Sequence, residues 1–333
     1  MKDESAQLKG EQDTTGIFTY LKASAESSLY RNGKVLTRRD KDGSDSNWQG
    51  VDREQREVPV HNARRLEGAN RRTIITNGFE LLTRPLPEGG VDFFDQEQVV
   101  RKYYGQCADI VQEFTGARAF AFDHNVRSAS GKKGKQRIAG GQQVQGPAHM
   151  VHGDYTLTSS PQRLRDLTKP PTSNDTLRTV LGEGQALIDS KMVEKALGKD
   201  GRFAIINVWR NIAKEPVATH PLALCDADCV QPEDLVVFEI HYQDRIGENY
   251  FAKYSPRHQW FYYPQITRDE ALLIKQWDSE GKLARTKGAE GDAGGGNHAP
   301  CTFSFHSAFE DPATPPDAPD RWSIEVRCMV VYD

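Results

Sequence analysis

In the string VHGDYT, His152 and Asp154 stand two residues apart. Alternate side chains of an extended strand share a face, so an imidazole and a carboxylate would project together into one interior and offer two metal ligands. A third ligand has to come from a distant strand, and His306, in the alternating run CTFSFHSAF, is the candidate. Two histidines and one carboxylate on one side of a metal leave three positions open, which is the donor set of non-haem Fe(II) oxygenases. Fifteen residues after His306, Arg321-Trp322-Ser323 opens the last apolar run. A guanidinium grips a carboxylate through two parallel hydrogen bonds, and a hydroxyl two residues on adds a third. A 2-oxoacid cosubstrate needs such a grip on its far carboxylate. The plainer use of Arg321 is a surface ion pair with Asp317 or Asp320, but its position after a late histidine in a β-rich half favours the cosubstrate. His149 and His298 read as non-ligands, the first because it faces away from His152 on a strand and the second because it lies in a Gly-rich loop.

The elements that must position these groups are mostly strands. From residue 202 onward, FAIINVWRNI, LVVFEIHYQ, ENYFAKYS, QWFYYPQI, ALLIKQWDS, CTFSFHSAF and WSIEVRCMVVY are rich in β-branched and aromatic residues and are separated by Pro, Gly, Asp or Asn. Seven such runs, with two more around Phe120 and Val151, predict an eight- or nine-stranded jelly roll or barrel. In DQEQVVRKYYGQCADIVQEFT (residues 95–115) the apolar residues recur every three to four positions, which predicts a helix. Helical patterns also cover residues 161–167 and 175–197, with Ser or Thr near their starts as N-caps. The Gly-rich basic stretch SASGKKGKQRIAGGQQVQGP reads as a solvated mobile loop, since it lacks the spacing of a phosphate-binding loop. Residues 1–15 read as a flexible tail, and residues 40–72, polar except for VPV, as an extended arm over a core formed elsewhere. The aromatic run Trp260, Phe261, Tyr262, Tyr263 reads as core.

At 333 residues, with 37% hydrophobic and 27% charged side chains, the chain can bury one large core. Forty-three basic against 47 acidic side chains give a net charge of −4, without the positive excess of a nucleic-acid binder. There is no apolar run long enough for a signal-peptide core or a membrane span, so a cytoplasmic protein is expected. Five scattered cysteines, an odd number, read as reduced thiols, and the spacing of Cys225 and Cys229 lacks the partners of a zinc site.

Several strings, in order, carry a family resemblance. They are NGFELL (residues 77–82), FDHNVR (122–127), VHGDYT (151–156), NVWRNI (207–212), HQWFYYP (258–264), LLIKQWDS (272–279), FHSAFEDP (305–312) and RWSIEVR (321–327). Together with H-x-D, a late His and R-x-S, they resemble the Fe(II)/2-oxoglutarate-dependent dioxygenases. The closest resemblance is to the largely fungal AsaB-like hydroxylase/desaturase branch that includes gibberellin desaturase and cephalosporin methoxylase-type proteins. The resemblance implies a mainly β fold with flanking helices around a double-stranded β-helix (jelly-roll, cupin-like) core. That core would be a single domain over residues 16–333, with an N-terminal arm and helices to about 118, the loop at about 128–147 and a helical insert at about 160–200. It implies Fe(II) held by His152, Asp154 and His306, with 2-oxoglutarate and O2 in the open positions. It also implies Arg321 on the distal carboxylate of 2-oxoglutarate, Ser323 assisting, and Arg327 as the fallback anchor.

By the same similarity, His124, Arg127, Tyr155, Asn207, Trp209 and Arg210 are candidates to contact substrate, although His124 and Arg210 could equally serve buried backbone or acid partners. The implied reaction is hydrogen removal from an unactivated C–H bond of a small molecule of secondary metabolism. It would end in hydroxylation, desaturation or oxidative cyclisation, with succinate and CO2 as co-products. A non-catalytic β-roll binding protein and a zinc-dependent hydrolase using the same His/Asp/His set are the alternatives. The stretch at 132–146 is an enlarged or divergent loop where a lid would lie.

Overall fold

The apolar runs of the C-terminal half become central strands of two sheets, as the computed structural model shows for residues 13–39, 45–50, 52–86, 90–172, 175–242, 246–292 and 299–333. Fifteen strands lie among these described residues. In chain order they are β1 (Thr14–Leu21), β2 (Leu36–Arg39), β3 (Asp45–Gln49), β4 (Arg53–Asn62), β5 (Phe79–Thr83), β6 (Arg118–Arg127), β7 (His152–Gly153), β8 (Phe203–Asn211), β9 (Leu222–Cys225), β10 (Leu235–His241), β11 (Ile246–Ala252), β12 (Trp260–Tyr262), β13 (Glu270–Asp278), β14 (His306–Ala308) and β15 (Ser323–Val331). The larger sheet has the order β1-β4-β12-β9-β14-β7-β11-β10-β2-β3, and the smaller one the order β5-β13-β8-β15-β6. The chain is mainly β, with a jelly-roll core and few helices.

Fifteen strands exceed the eight or nine expected because the N-terminal third contributes its own. The tail and arm supply β1, β3 and β4, with β1 antiparallel to β4 over Thr14–Leu21 and Arg53–Asn62. Charge hid them. In β4 residues 53–57 are Arg, Glu and Gln, while Val58, Val60 and Asn62 turn inward and are buried. β1 begins at Thr14, inside the expected tail, and residues 1–12 lie outside the described residues.

The predicted helix at 95–115 runs as Gln96–Gln98, a π-helical turn Val99–Tyr103, and Tyr104–Thr115. Asp95 caps its start by accepting from the Glu97 and Gln98 amides, and Gly116 ends it at φ 67°, a conformation that favours glycine. Its buried face, including Tyr103, Tyr104, Cys107 and Val111, packs on the outer side of the smaller sheet. The pattern at 161–167 is the helix Ser159–Asp166. The pattern at 175–197 breaks into a 3-10 turn, Thr176–Thr179, and a helix, Ser190–Ala196, whose cap is Asp189 rather than Ser or Thr.

The stretch at 128–147, expected as a solvated loop, is tied to the fold at several points, while residues 132–137 are exposed. Ser128 caps a short helix, Ala129–Lys133, and both Ser128 and Ser130 donate to Asp320. Ile138 and Val144 are buried, and Gly131 leaves room for the Trp322 ring, which a Cβ would meet at 2.5 Å. The expected core run Trp260–Tyr262 and Tyr263 is buried. All five cysteines are free, with the Cys225 and Cys229 sulfurs 3.4 Å apart.

Candidate metal and cosubstrate site

Strand register brings the two histidines together. β14 and β7 are antiparallel neighbours in which His306 lies directly opposite His152. Side chains opposite one another share a face, so the row Phe261, Leu224, His306, His152, Phe251 runs across the inner side of the larger sheet. The imidazole centroids are 4.3 Å apart. The chain leaves β7 after Gly153 and turns Asp154 under them, with Asp154 Oδ1 3.5 Å from His152 Nε2 and 3.9 Å from His306 Nε2. One ligand atom from each of the three lies within 4.8 Å of the others. Gly153 lets the strand lie close to the Phe303 ring, which a Cβ there would meet at 3.0 Å.

Protonation suits a cation. His152 Nδ1 donates to the Met150 carbonyl at 2.7 Å, which leaves Nε2 with its lone pair toward Asp154. Burial, then the neighbouring His306, pushes the His152 pKa down to about 4, and burial lowers that of His306, so both imidazoles are neutral near pH 7. Burial alone would raise the Asp154 pKa, but Arg327 and then the imidazoles hold it well below the usual carboxylate range. Neutral histidines and an ionised carboxylate are the forms in which these side chains bind a metal.

The smaller sheet supplies the opposite wall. β15 lies between β6 and β8, in a register that places Arg327 opposite Asp123 and Asn207, Glu325 opposite Asn125 and Trp209, and Ser323 opposite Arg127 and Asn211. This polar face looks into the barrel. The alternate residues, among them Val326, Val208, His124 and Arg210, look toward the helix.

The substrate candidates therefore divide by parity. Arg127, Asn207 and Trp209 share the inner face with Arg327, and Tyr155 follows Asp154 directly. His124 and Arg210 do not join them. His124 Nδ1 shares a 2.8 Å hydrogen bond with the Tyr104 hydroxyl, and Arg210 donates to the Tyr103 hydroxyl and to the Arg84 and Arg268 carbonyls. Both serve the helix–sheet packing, which is the plainer of the two uses expected for them.

Burial pushes the His124 pKa from 6.5 down to about 4. A group whose folded pKa is depressed in this way favours the neutral folded state above pH 6.5, and as pH falls toward 4 the unfolded chain takes up the proton first. Acid should therefore destabilise the metal-free protein over that window, by up to about 3 kcal/mol from this residue. His124→Gln should flatten the pH dependence of denaturant midpoints between pH 6.5 and 4, and an unchanged slope would contradict the assignment.

Arg321 and Ser323 sit at the entry to β15, 2% and 1% exposed. Arg321 uses Nη1 on the His220 carbonyl, but its Nε and the Ser323 hydroxyl have no protein partner among the described residues. Burial, then Arg127, pushes the Arg321 pKa down to about 9. Orphaned donors on a desolvated cation fit a ligand carboxylate, whose arrival would satisfy both. The plainer use, a surface ion pair, does not apply, since Arg321 is buried and Asp320 Oδ2 accepts from Ser128 and Ser130 instead.

The fallback anchor is corrected. Arg327 is occupied by three carboxylates, with Nε 3.2 Å from Asp154 Oδ2, Nη1 3.1 Å from Asp123 and Nη2 3.1 Å from Glu325, so it has no fork free for a cosubstrate. His149 packs its ring against His220 at 5.1 Å, apart from the three-residue cluster, and His298 lies outside the described residues.

The profile of the oxidoreductase/YMDC permease-like domain family matches residues 18–331. The chain is similar to an uncharacterized protein in the dcmA 3′ region of Methylophilus leisingeri, 47% identical over 194 residues that span 58% of this chain and 88% of that one. It is similar to the Fe(II)/2-oxoglutarate-dependent dioxygenase nvfI of Aspergillus novofumigatus, 29% identical over 71% of this chain and 68% of that one. The hydroxylase/desaturase poxK of Penicillium oxalicum is 33% identical over 40% of this chain and 43% of its own length. Among solved structures, the iron and alpha-ketoglutarate-dependent endoperoxidase NvfI superposes with a TM-score of 0.69, at 22% identity, over 97% of this chain and 99% of that one.

The chain belongs to the family of that profile and, with the relatives named above, to the Fe(II)/2-oxoglutarate-dependent dioxygenases. As such a dioxygenase it is an oxidoreductase that uses Fe(II), 2-oxoglutarate and O2 and acts on a small molecule. No described helix is long and apolar enough to cross a membrane. Reading the dioxygenase's sequence missed Asp123 and Glu325, the further partners of Arg327. The signal was there, in the polar alternation of D-H-N-V-R in β6 and S-I-E-V-R in β15, because a strand whose other face packs on a helix has to turn its charges inward.

Proposed function

We propose that His152, Asp154 and His306 hold Fe(II), and that Arg321 with Ser323 holds the distal carboxylate of 2-oxoglutarate, in a cytoplasmic enzyme of small-molecule secondary metabolism. The observation that carries this reading is the gathering of the three ligand atoms within 4.8 Å. The unpartnered Arg321 Nε and Ser323 Oγ on the facing sheet support the cosubstrate half of it. Bound iron, with 2-oxoglutarate and O2, supplies the oxidant that removes hydrogen from an unactivated C–H bond and yields succinate and CO2.

The chain's own residues have three tasks. Buried neutral imidazoles and the ionised Asp154 present lone pairs without first shedding protons. Arg321 and Ser323 orient the keto acid, and the low exposure of both excludes water from that carboxylate. Arg127, Trp209 and Tyr155 border the inner space where substrate would lie, and Asn207, which donates to Asp154 at 3.1 Å, keeps a buried carbonyl oxygen without a partner to accept from it. Relatives named hydroxylase/desaturase and endoperoxidase support a reaction that starts with hydrogen removal. Pocket geometry would then select hydroxylation, desaturation or ring formation.

Anaerobic titration of the metal-free protein with Fe(II) and then 2-oxoglutarate tests the reading. A visible charge-transfer band of the iron-chelated keto acid is expected. If the protein takes up neither metal nor keto acid, the assignment falls and a binding role replaces it.

A further inference from the structure

Three arginines occupy the inner side of the smaller sheet or its entry, and their partners separate them. Arg321 keeps an orphaned Nε, and Arg127 donates to the Gly146 carbonyl at 3.1 Å. Arg327 alone is saturated by acids. Its Nε and the Asn207 amide both reach the same oxygen of Asp154, Oδ2, at 3.2 and 3.1 Å. The other oxygen, Oδ1, faces the two imidazoles. Nη1 and Nη2 then tie the guanidinium to Asp123 on β6 and Glu325 on β15. Asp154 itself follows a two-residue strand, and its backbone amide is held by Gln276 of β13 at 3.1 Å.

We propose that Arg327 is the positioning residue of the metal centre, clamping Asp154 so that one carboxylate oxygen is spent on the protein and only the other is left for the cation. The proposal rests on the reading of Asp154 as a ligand. Physically, the carboxylate sits at the end of a short strand and has a free χ2 torsion, so left alone it could present one oxygen or both. A carboxylate that took the cation through both oxygens would occupy a position needed by keto acid or O2. Two donors on Oδ2 remove that option, and a planar fork braced on two further carboxylates cannot swing away with Asp154. Arg327 spends Nε, Nη1 and Nη2 on carboxylates and offers the cation no ligand atom of its own. It acts through Asp154.

The test uses Mn(II) as probe with the full chain, read by calorimetry and by the Mn(II) EPR line shape. Arg327→Met leaves two buried carboxylates, Asp154 and Glu325, and the partly exposed Asp123 without their cation and can fail to fold. The triple variant Arg327→Met/Asp123→Asn/Glu325→Gln removes two of those three charges, leaves only Asp154 without its cation and frees its Oδ2. It should bind Mn(II) about ten- to a hundredfold more weakly than wild type, with a changed EPR line shape and a metal-free melting temperature above that of Arg327→Met. Arg327→Lys, which keeps a charge and one donor, should recover part of the affinity. A triple variant with wild-type affinity and line shape overturns the clamp, as does one whose metal-free melting temperature falls while the folded fraction binds Mn(II) normally. Asp154→Ala separates the two levels. If it too binds Mn(II) like wild type, the metal reading fails. If it loses binding while the Arg327 variants do not, only the clamp fails.

Discussion

His306→Ala is expected to weaken Fe(II) or Mn(II) binding by more than about a hundredfold, because removing an outer-sphere partner of a metal site already costs ten- to a hundredfold and this substitution removes a ligand. Succinate formation should fall to background. The metal-free fold should survive. His306 is buried, and burial holds its imidazole neutral, so alanine removes a polar group that earns its place only when a cation is present. The diagnostic result is thus a dissociation of two properties. Wild type and His306→Ala should melt at similar temperatures without metal, whereas only wild type should gain stability when Mn(II) is added, by the mass-action increment that binding to the native state alone provides. The opposite strand predicts the same pattern for His152→Ala, since the two residues are cross-strand partners. A His306→Ala protein that still makes succinate at the wild-type rate would remove the metal assignment altogether.

How much of this centre the sequence discloses depends on the distance over which the signal acts. H-x-D is legible because its two members are fixed by a local rule, the alternation of side chains along extended backbone. Even so, β7 ends at Gly153, and Asp154 reaches the histidines by leaving the strand. His306 is legible as a type in the right kind of run, but not as the direct partner of His152, because pairing between residues 154 positions apart is set by the sheet order β9-β14-β7-β11. CTFSFHSAF looks like a nine-residue strand and gives only His306–Ala308, since upstream the Cys301 and Ser304 amides donate to the Ile75 and Lys275 carbonyls and the Ser304 hydroxyl to the Cys225 carbonyl.

Parity decides the rest. Six substrate candidates from three strings all look alike as polar or aromatic residues in apolar company, and string order cannot say which face each takes. Once β6, β15 and β8 are in register, His124 and Arg210 fall on the helix side and Arg127, Asn207 and Trp209 on the inner side. Arg327 misled for the same reason. Even spacing places it on the face of Ser323, and whether a guanidinium on that face meets a cosubstrate or three acids is a matter of which residues the neighbouring strands deliver. The N-terminal strands escaped detection for a different reason. They lie toward the ends of the larger sheet, where one side meets solvent and the charged residues of β4 belong.

Arg321→Met is the sharpest test of the cosubstrate half, because its two effects should have opposite signs. In the absence of ligand the guanidinium is a desolvated cation with one buried N–H unsatisfied, and burial has already pushed its pKa down to about 9. A methionine of similar length removes that charge, loses one hydrogen bond to the His220 carbonyl, and fills the same space. The ligand-free variant should therefore melt at or slightly above the wild-type temperature, as replacements of buried ionic groups by apolar ones often do. Binding of 2-oxoglutarate to the Mn(II)-loaded protein should weaken by about a hundred- to a thousandfold, the cost of about 3–4 kcal/mol for taking one partner from a buried, doubly bonded charge pair. Ser323→Ala, which removes a single neutral donor, should weaken it only about tenfold or less. A structural role for Arg321 predicts the reverse order, with loss of stability and little change in keto-acid affinity. Calorimetric titration of 2-oxoglutarate into Mn(II)-loaded Arg321→Met, set beside its thermal melt, distinguishes the two. Unaltered affinity would move the anchor elsewhere, and lost affinity with a stable fold would place the distal carboxylate on this guanidinium.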